Sequence, residues 1–83
     1  MEERKQKIRS KVQELAANLG HDAAGIGDGD LIGERAGLDS PAILELICWY
    51  EGEFGLTIPQ EDLTVENFGT ISAMAAAVDR FQG

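Results

Sequence analysis

The chain has 83 residues, enough for a single domain over 1–83 and not for two. Its 15 Asp and Glu against 7 Lys and Arg give a formal net charge of −8, which argues against binding nucleic acid or an anionic membrane surface. One Cys, Cys48, and one His, His21, allow neither an internal disulfide nor a Cys/His zinc site.

A hydrophobic content of 43% is that of a folded domain rather than a disordered acidic tail. No apolar run has the length of a membrane span, and the opening MEERKQKIRSK lacks the apolar stretch of a secretory signal. These features predict a reduced, soluble, cytoplasmic protein with no membrane insertion. The acidic balance favours partners that present basic patches.

Residues 3 to 19 predict a first helix. Ile8, Val12, Leu15, Ala16 and Leu19 recur at helical spacing, Lys and Arg dominate the other face, and Gly20 is its stop. Residues 20 to 39 read as a long loop holding six of the ten glycines, with Leu31 and Ile32 pinning it to the core. Residues 40 to 54 predict a second helix with an apolar stripe of Ile43, Leu46, Ile47, Tyr50 and Phe54. Pro41 suits its first turn, either Asp39 or Ser40 could cap it, and Gly55 ends it. Thr64 caps a short helix over 65 to 68 that turns Val65 and Phe68 inward. A last helix over 70 to 81, capped by Thr70, places Ile71, Met74, Ala75, Val78 and Phe81 on one face. No strand pattern or internal repeat interrupts this order. The fold class is all-α: a four-helix bundle with a long first loop and a short third helix.

The residue with chemical promise is Ser40, in Gly37-Leu38-Asp39-Ser40 at the junction of loop and helix. There its hydroxyl stands at an element end, beside free backbone N–H groups and the positive end of a helix dipole, which favour an attached phosphate. Asp39 lies beside it, placed to orient a metal ion or an incoming transferase. The bland alternative is that Ser40 only caps the helix. Nothing in the sequence supplies Ser40 with a base except His21, a loop residue, so a hydrolase triad is disfavoured. Gly25-Ile26-Gly27-Asp28-Gly29-Asp30 fails the dinucleotide fingerprint at its third glycine, and the loop acids fail the spacing of a calcium-binding loop.

Gly37-Leu38-Asp39-Ser40 resembles the phosphopantetheine attachment motif of acyl carrier proteins. Downstream, Leu46, Glu51, Glu53, Phe54, Gly55, Ile58, Pro59 and Asp62 are similar to that family's E-x-E-F-G-x-x-I-P-x-x-D run. Phe68, Thr70, Ile71 and Val78 resemble its closing stretch. The likeness covers residues 31 to 81 well and the rest in layout. It implies an acyl-carrier-like bundle in which Ser40 carries 4′-phosphopantetheine, installed from coenzyme A by a phosphopantetheinyl transferase. The arm's thiol would hold an acyl or aminoacyl group as a thioester, loaded by a ligase or acyltransferase, for fatty acid, polyketide or related biosynthesis. The protein would be a carrier, not an enzyme, and a monomer suits that shuttle.

The resemblance further implies that the second helix docks partner enzymes. Leu44 and Cys48 are the expected apolar contacts, and Glu45 and Glu51 the acids that pair with partner Arg or Lys. Cargo would occupy a cavity between helices, lined by residues such as Ile47, Ile58 and Ala75. Alternatives are an aminoacyl or peptidyl carrier, and an unmodified carrier-like adaptor. The absence of a linker after Gly83 favours a discrete protein over an excised domain. Pro41, Ala42, Gly52, Arg35, Trp49 and Tyr50 depart from the family's usual residues. They point to a specialised carrier with its own loading enzyme.

Overall fold

The computed structural model describes residues 2–81. Positions 1, 82 and 83, which the sequence reading includes in the domain, lie outside the described residues. Five α-helices follow in order: α1 (Glu2–Asn18), α2 (Ile32–Arg35), α3 (Ser40–Phe54), α4 (Val65–Phe68) and α5 (Ile71–Phe81). A single 3₁₀ turn spans Gln60–Asp62. Four of the helices stand where the sequence puts them, and α2 is an addition inside the predicted loop.

The core sits where α1 packs on α3 and α5. Ile8 and Val12 of α1, Tyr50 of α3, and Ile71 and Met74 of α5 are fully buried. Tyr50 is held at both ends. Its ring meets Phe54 and Phe68 edge-on at centroid distances of 5.3 and 5.5 Å. Its hydroxyl donates to the Met74 carbonyl at 2.7 Å. Burial pushes its pKa up to about 12, opposed in part by the positive charges of Arg4 and Arg80.

The helix ends follow from local chemistry. Gly55 takes a left-handed φ of 66° and closes α3, its N–H reaching the Glu51 carbonyl. Thr64 Oγ1 accepts the Asn67 N–H at 3.3 Å, and Thr70 Oγ1 the Ala73 N–H at 3.0 Å. Both caps are those expected.

Several expectations about which side chains are buried need correction. α1 ends at Asn18, so Leu19 leaves the stripe and is 40% exposed. Of the loop pair, Ile32 is buried but Leu31 is exposed. Val65, expected inward, is 70% exposed, and Phe68 is half-buried. The α3 stripe splits: Leu46, Ile47 and Tyr50 are buried, whereas Ile43 turns outward. One cause covers Leu31, Val65, Phe68 and Ile43. The α2–α4 side of the bundle has no further helix over it, so its apolar residues line an open cleft.

Helix α2 could not be read because four residues carry no period. Its position is fixed from outside. Ile32 is its one buried residue, and the Ile32 N–H donates to the Gly69 carbonyl at 2.8 Å. Arg35, one of the departures noted above, reaches the Asp22 carbonyl at 3.4 Å and folds the loop back on α2.

Candidate functional site

The segment from Gly37 to Ser40 is built by three consecutive devices. Gly37 has a left-handed φ of 66°, and a Cβ placed there would stand 2.9 Å from Cδ2 of His21. The left-handed backbone therefore favours glycine, and a side chain there would have to push the His21 imidazole aside. Leu38 is buried and anchors the segment to the core. Asp39 is extended and accepts the Ala42 N–H on Oδ1 at 3.0 Å, so it is the N-cap of α3. This settles the choice between Asp39 and Ser40. Ser40 is the first residue of α3, exposed, with the capping role taken by its neighbour.

The same geometry corrects one expectation. The sequence predicts free backbone N–H groups at this helix start. Pro41 has none, and that of Ala42 is bound to Asp39, so the first three residues leave only the Ser40 N–H. What favours an anion here is the helix dipole and that one donor. Asp39 is fixed by its cap rather than free to swing toward an ion.

One turn along α3, an open cleft of about 440 Å³ begins. Leu31 to Glu34 form one wall, Ile43, Leu44, Leu46 and Ile47 the floor, and Leu63 to Val65, Phe68 and Gly69 the other wall. Glu34 and Thr64 are its only polar side chains. Of the three residues expected to line a cargo cavity, Ile47 does. Ile58 and Ala75 are buried elsewhere in the core, because the space opens beside α2 and not between α3 and α5. The sequence signal for this cleft was available only in part: Leu63 and Val65 sit at the right spacing, but nothing marks them as facing Leu31.

The expected docking residues divide. Leu44 is 59% exposed, and Glu45 and Cys48 are also exposed on the outer face of α3. Glu51 is half-buried, and its carboxylate accepts the Ile58 N–H at 2.8 Å. It fixes the chain after α3 and is not a free surface acid.

Residues 10–78 match the family model of the phosphopantetheine attachment site. That span covers most of the chain and contains the Ser40 segment. The chain belongs to this family. Among curated proteins, none matches it. Members of the family carry covalently attached 4′-phosphopantetheine and act as carriers, not catalysts. The carrier's own geometry fits that group, since an exposed hydroxyl at the positive end of α3 can take a phosphodiester without displacing a structural bond. Among the described residues no helix is long and apolar enough to cross a membrane.

Proposed function

We propose that this carrier protein bears its phosphopantetheine arm on Ser40 and presents apolar acyl groups, held as thioesters, to biosynthetic enzymes. The observation that carries the reading is the release of Ser40 from capping: Asp39 makes that bond, and the Ser40 hydroxyl stands exposed at the first position of α3. The arm, when attached, supplies the thiol that forms the thioester. The chain's residues do the rest. Gly37 and Leu38 aim the segment outward, and the α3 dipole favours the phosphodiester charge.

The cleft supports acyl over aminoacyl cargo. Its lining is apolar apart from Glu34 and Thr64, so most of its surface suits an alkyl chain, and Glu34 is the one charged group there that an ammonium could meet. Fatty acid and polyketide assembly both supply such groups. Installation falls to a phosphopantetheinyl transferase and loading to a ligase or acyltransferase. Exposed Leu44, Glu45 and Cys48 form the docking face on α3. Glu51 supports that face by holding the chain after α3 through the Ile58 N–H. The departures at Pro41 and Ala42, in the first turn that a transferase would meet, suit a dedicated partner set.

The test is intact mass after incubation with coenzyme A and a broad-specificity phosphopantetheinyl transferase. One phosphopantetheine increment is expected on the parent and none on Ser40→Ala. A folded parent that takes no increment would favour the unmodified adaptor instead.

A further inference from the structure

The cleft has one weak wall. Helix α2 is a single turn, far too short to stand alone. It closes the cleft only because the loop before it is fastened elsewhere.

Two backbone bonds do the fastening, and both land where α4 hands over to α5. The Ser72 N–H donates to the Asp28 carbonyl at 3.0 Å, and the Ile32 N–H to the Gly69 carbonyl at 2.8 Å. The segment from 28 to 32 thus lies along the start of α5. From the other side, the Asp28 carboxylate is gripped by α1. Lys5 Nζ stands 3.4 Å from Oδ2, and Arg9 Nη2 bonds Oδ1. Lys5 and Arg9 are one turn apart on α1, so a single carboxylate meets both. The three side chains are only 20%, 23% and 38% exposed for Lys5, Arg9 and Asp28, which reduces screening relative to a surface pair. Asp28 therefore ties α1 and α5 together through the loop that carries α2.

We propose that Asp28 is a positioning residue for the cleft. Clamped by Lys5 and Arg9, it holds the 28–32 segment on α5, sets where α2 stands, and so limits the size of the apolar group the cleft admits. That the admitted group is the acyl cargo rests on the function proposed above; the clamp itself does not require Ser40 to be modified. Releasing the carboxylate frees the segment while leaving the α1–α3–α5 core closed. Raising the salt concentration acts on the same contact, because the Debye length falls from about 10 Å at 0.1 M to about 3 Å at 1 M.

The test compares the unmodified full chain with Asp28→Asn, which keeps size and removes charge, and with Arg9→Gln. Two readouts are taken at low and high NaCl. One is amide exchange at Ser72 and Ile32, with Val78 of the core as reference. The other is binding of neutral apolar probes of increasing size, N-phenyl-1-naphthylamine and Nile red. In both variants, exchange at Ser72 and Ile32 is expected to rise about two- to fivefold with Val78 unchanged. Affinity for the larger probe is expected to rise by a similar factor. Salt should move both readouts in the same direction in the parent, by less than the substitutions because the pair is partly buried, and add little in Asp28→Asn. Should Asp28→Asn fail to fold, the salt series on the parent and Arg9→Gln carries the test. Unchanged exchange at Ser72 and Ile32 would overturn the proposal. So would faster exchange without altered probe binding, or loosening shared equally by Val78, which would make the clamp only structural. Because the protein is unmodified throughout, failure here is separate from a failed mass increment on Ser40.

Discussion

The two sides of this bundle use the same residue types to opposite effect. Between α1, α3 and α5, Ile8, Val12, Tyr50 and Met74 are fully buried. Beside α2 and α4, Leu31, Leu44 and Val65 remain 42%, 59% and 70% exposed. Full burial of such a side chain is worth about 1.5–3 kcal/mol, so the first side carries the stability and the second forgoes much of it. The difference teaches that apolar content does not mark the core in a small carrier. What marks it is a facing helix, and the α2–α4 side has only two single turns to offer. The open side is left able to gain its burial from a ligand.

The sharpest way to break this comparison is to cut into the closed side. Met74→Ala removes most of a fully buried side chain and is expected to cost about 2–5 kcal/mol in urea unfolding. That is a large fraction of the about 5–15 kcal/mol by which folded domains are stable. A cost below about 1 kcal/mol would mean that the closed side is not the seat of stability.

The next effect is pH dependence, and it too belongs to the closed side. Tyr50 is the only tyrosine, so tyrosinate absorbance reports it alone. Its folded pKa is raised from 10.0 to about 12 by burial. The unfolded chain therefore loses this proton first. The contribution is fully present below pH 10 and is lost as pH climbs from 10 toward 12, by about 2–3 kcal/mol in all. Tyr50→Phe is expected to cost about 1 kcal/mol at neutral pH, through the bond to Met74. It should then lack that alkaline decline. A parent whose tyrosine titrates near 10 while still folded would contradict the buried placement.

A smaller and opposite effect is expected on α3, which both sides share. Gly52 lies exposed within that helix, and a Cβ there would meet nothing within 4 Å. Gly52→Ala should therefore raise stability by about 1 kcal/mol through helix propensity. Urea unfolding at constant m-value is the measurement. No gain would show that α3 is strained at this point in a way its open surroundings do not reveal.

How much of this was legible in the sequence follows the same division. The long helices, the caps at Thr64 and Thr70, and the stop at Gly55 were readable because each depends on residues a few positions apart. The family was readable from the motif around Ser40, and the cap was readable only as a choice between Asp39 and Ser40. Helix α2 was not, since a four-residue turn exists only through the Ile32 bond to Gly69, 37 positions away. Val65 and Ile43 were misplaced for a related reason. Periodicity reports which face of a helix is apolar and is silent on whether another helix covers it. Glu51 was read as a partner contact because its bond to Ile58 crosses the turn after α3, where no spacing rule applies.

The least costly substitution tests the open side most directly. Among the described residues Val65 is the most exposed of the large apolar side chains, and it lines the cleft. Val65→Thr keeps the branched shape and adds a hydroxyl that water can solvate, so the unloaded protein should change by less than about 0.5 kcal/mol. Loaded with a medium-length acyl chain, the parent should gain thermal stability over its unloaded form, because the cargo buries what the fold leaves open. In Val65→Thr that gain should shrink, since the same burial would now strip water from the hydroxyl. An equal gain in both proteins would place the cargo away from α4. A large loss in the unloaded variant would mean that Val65 supports the fold after all, and the contrast between the two sides would fail at its most exposed residue.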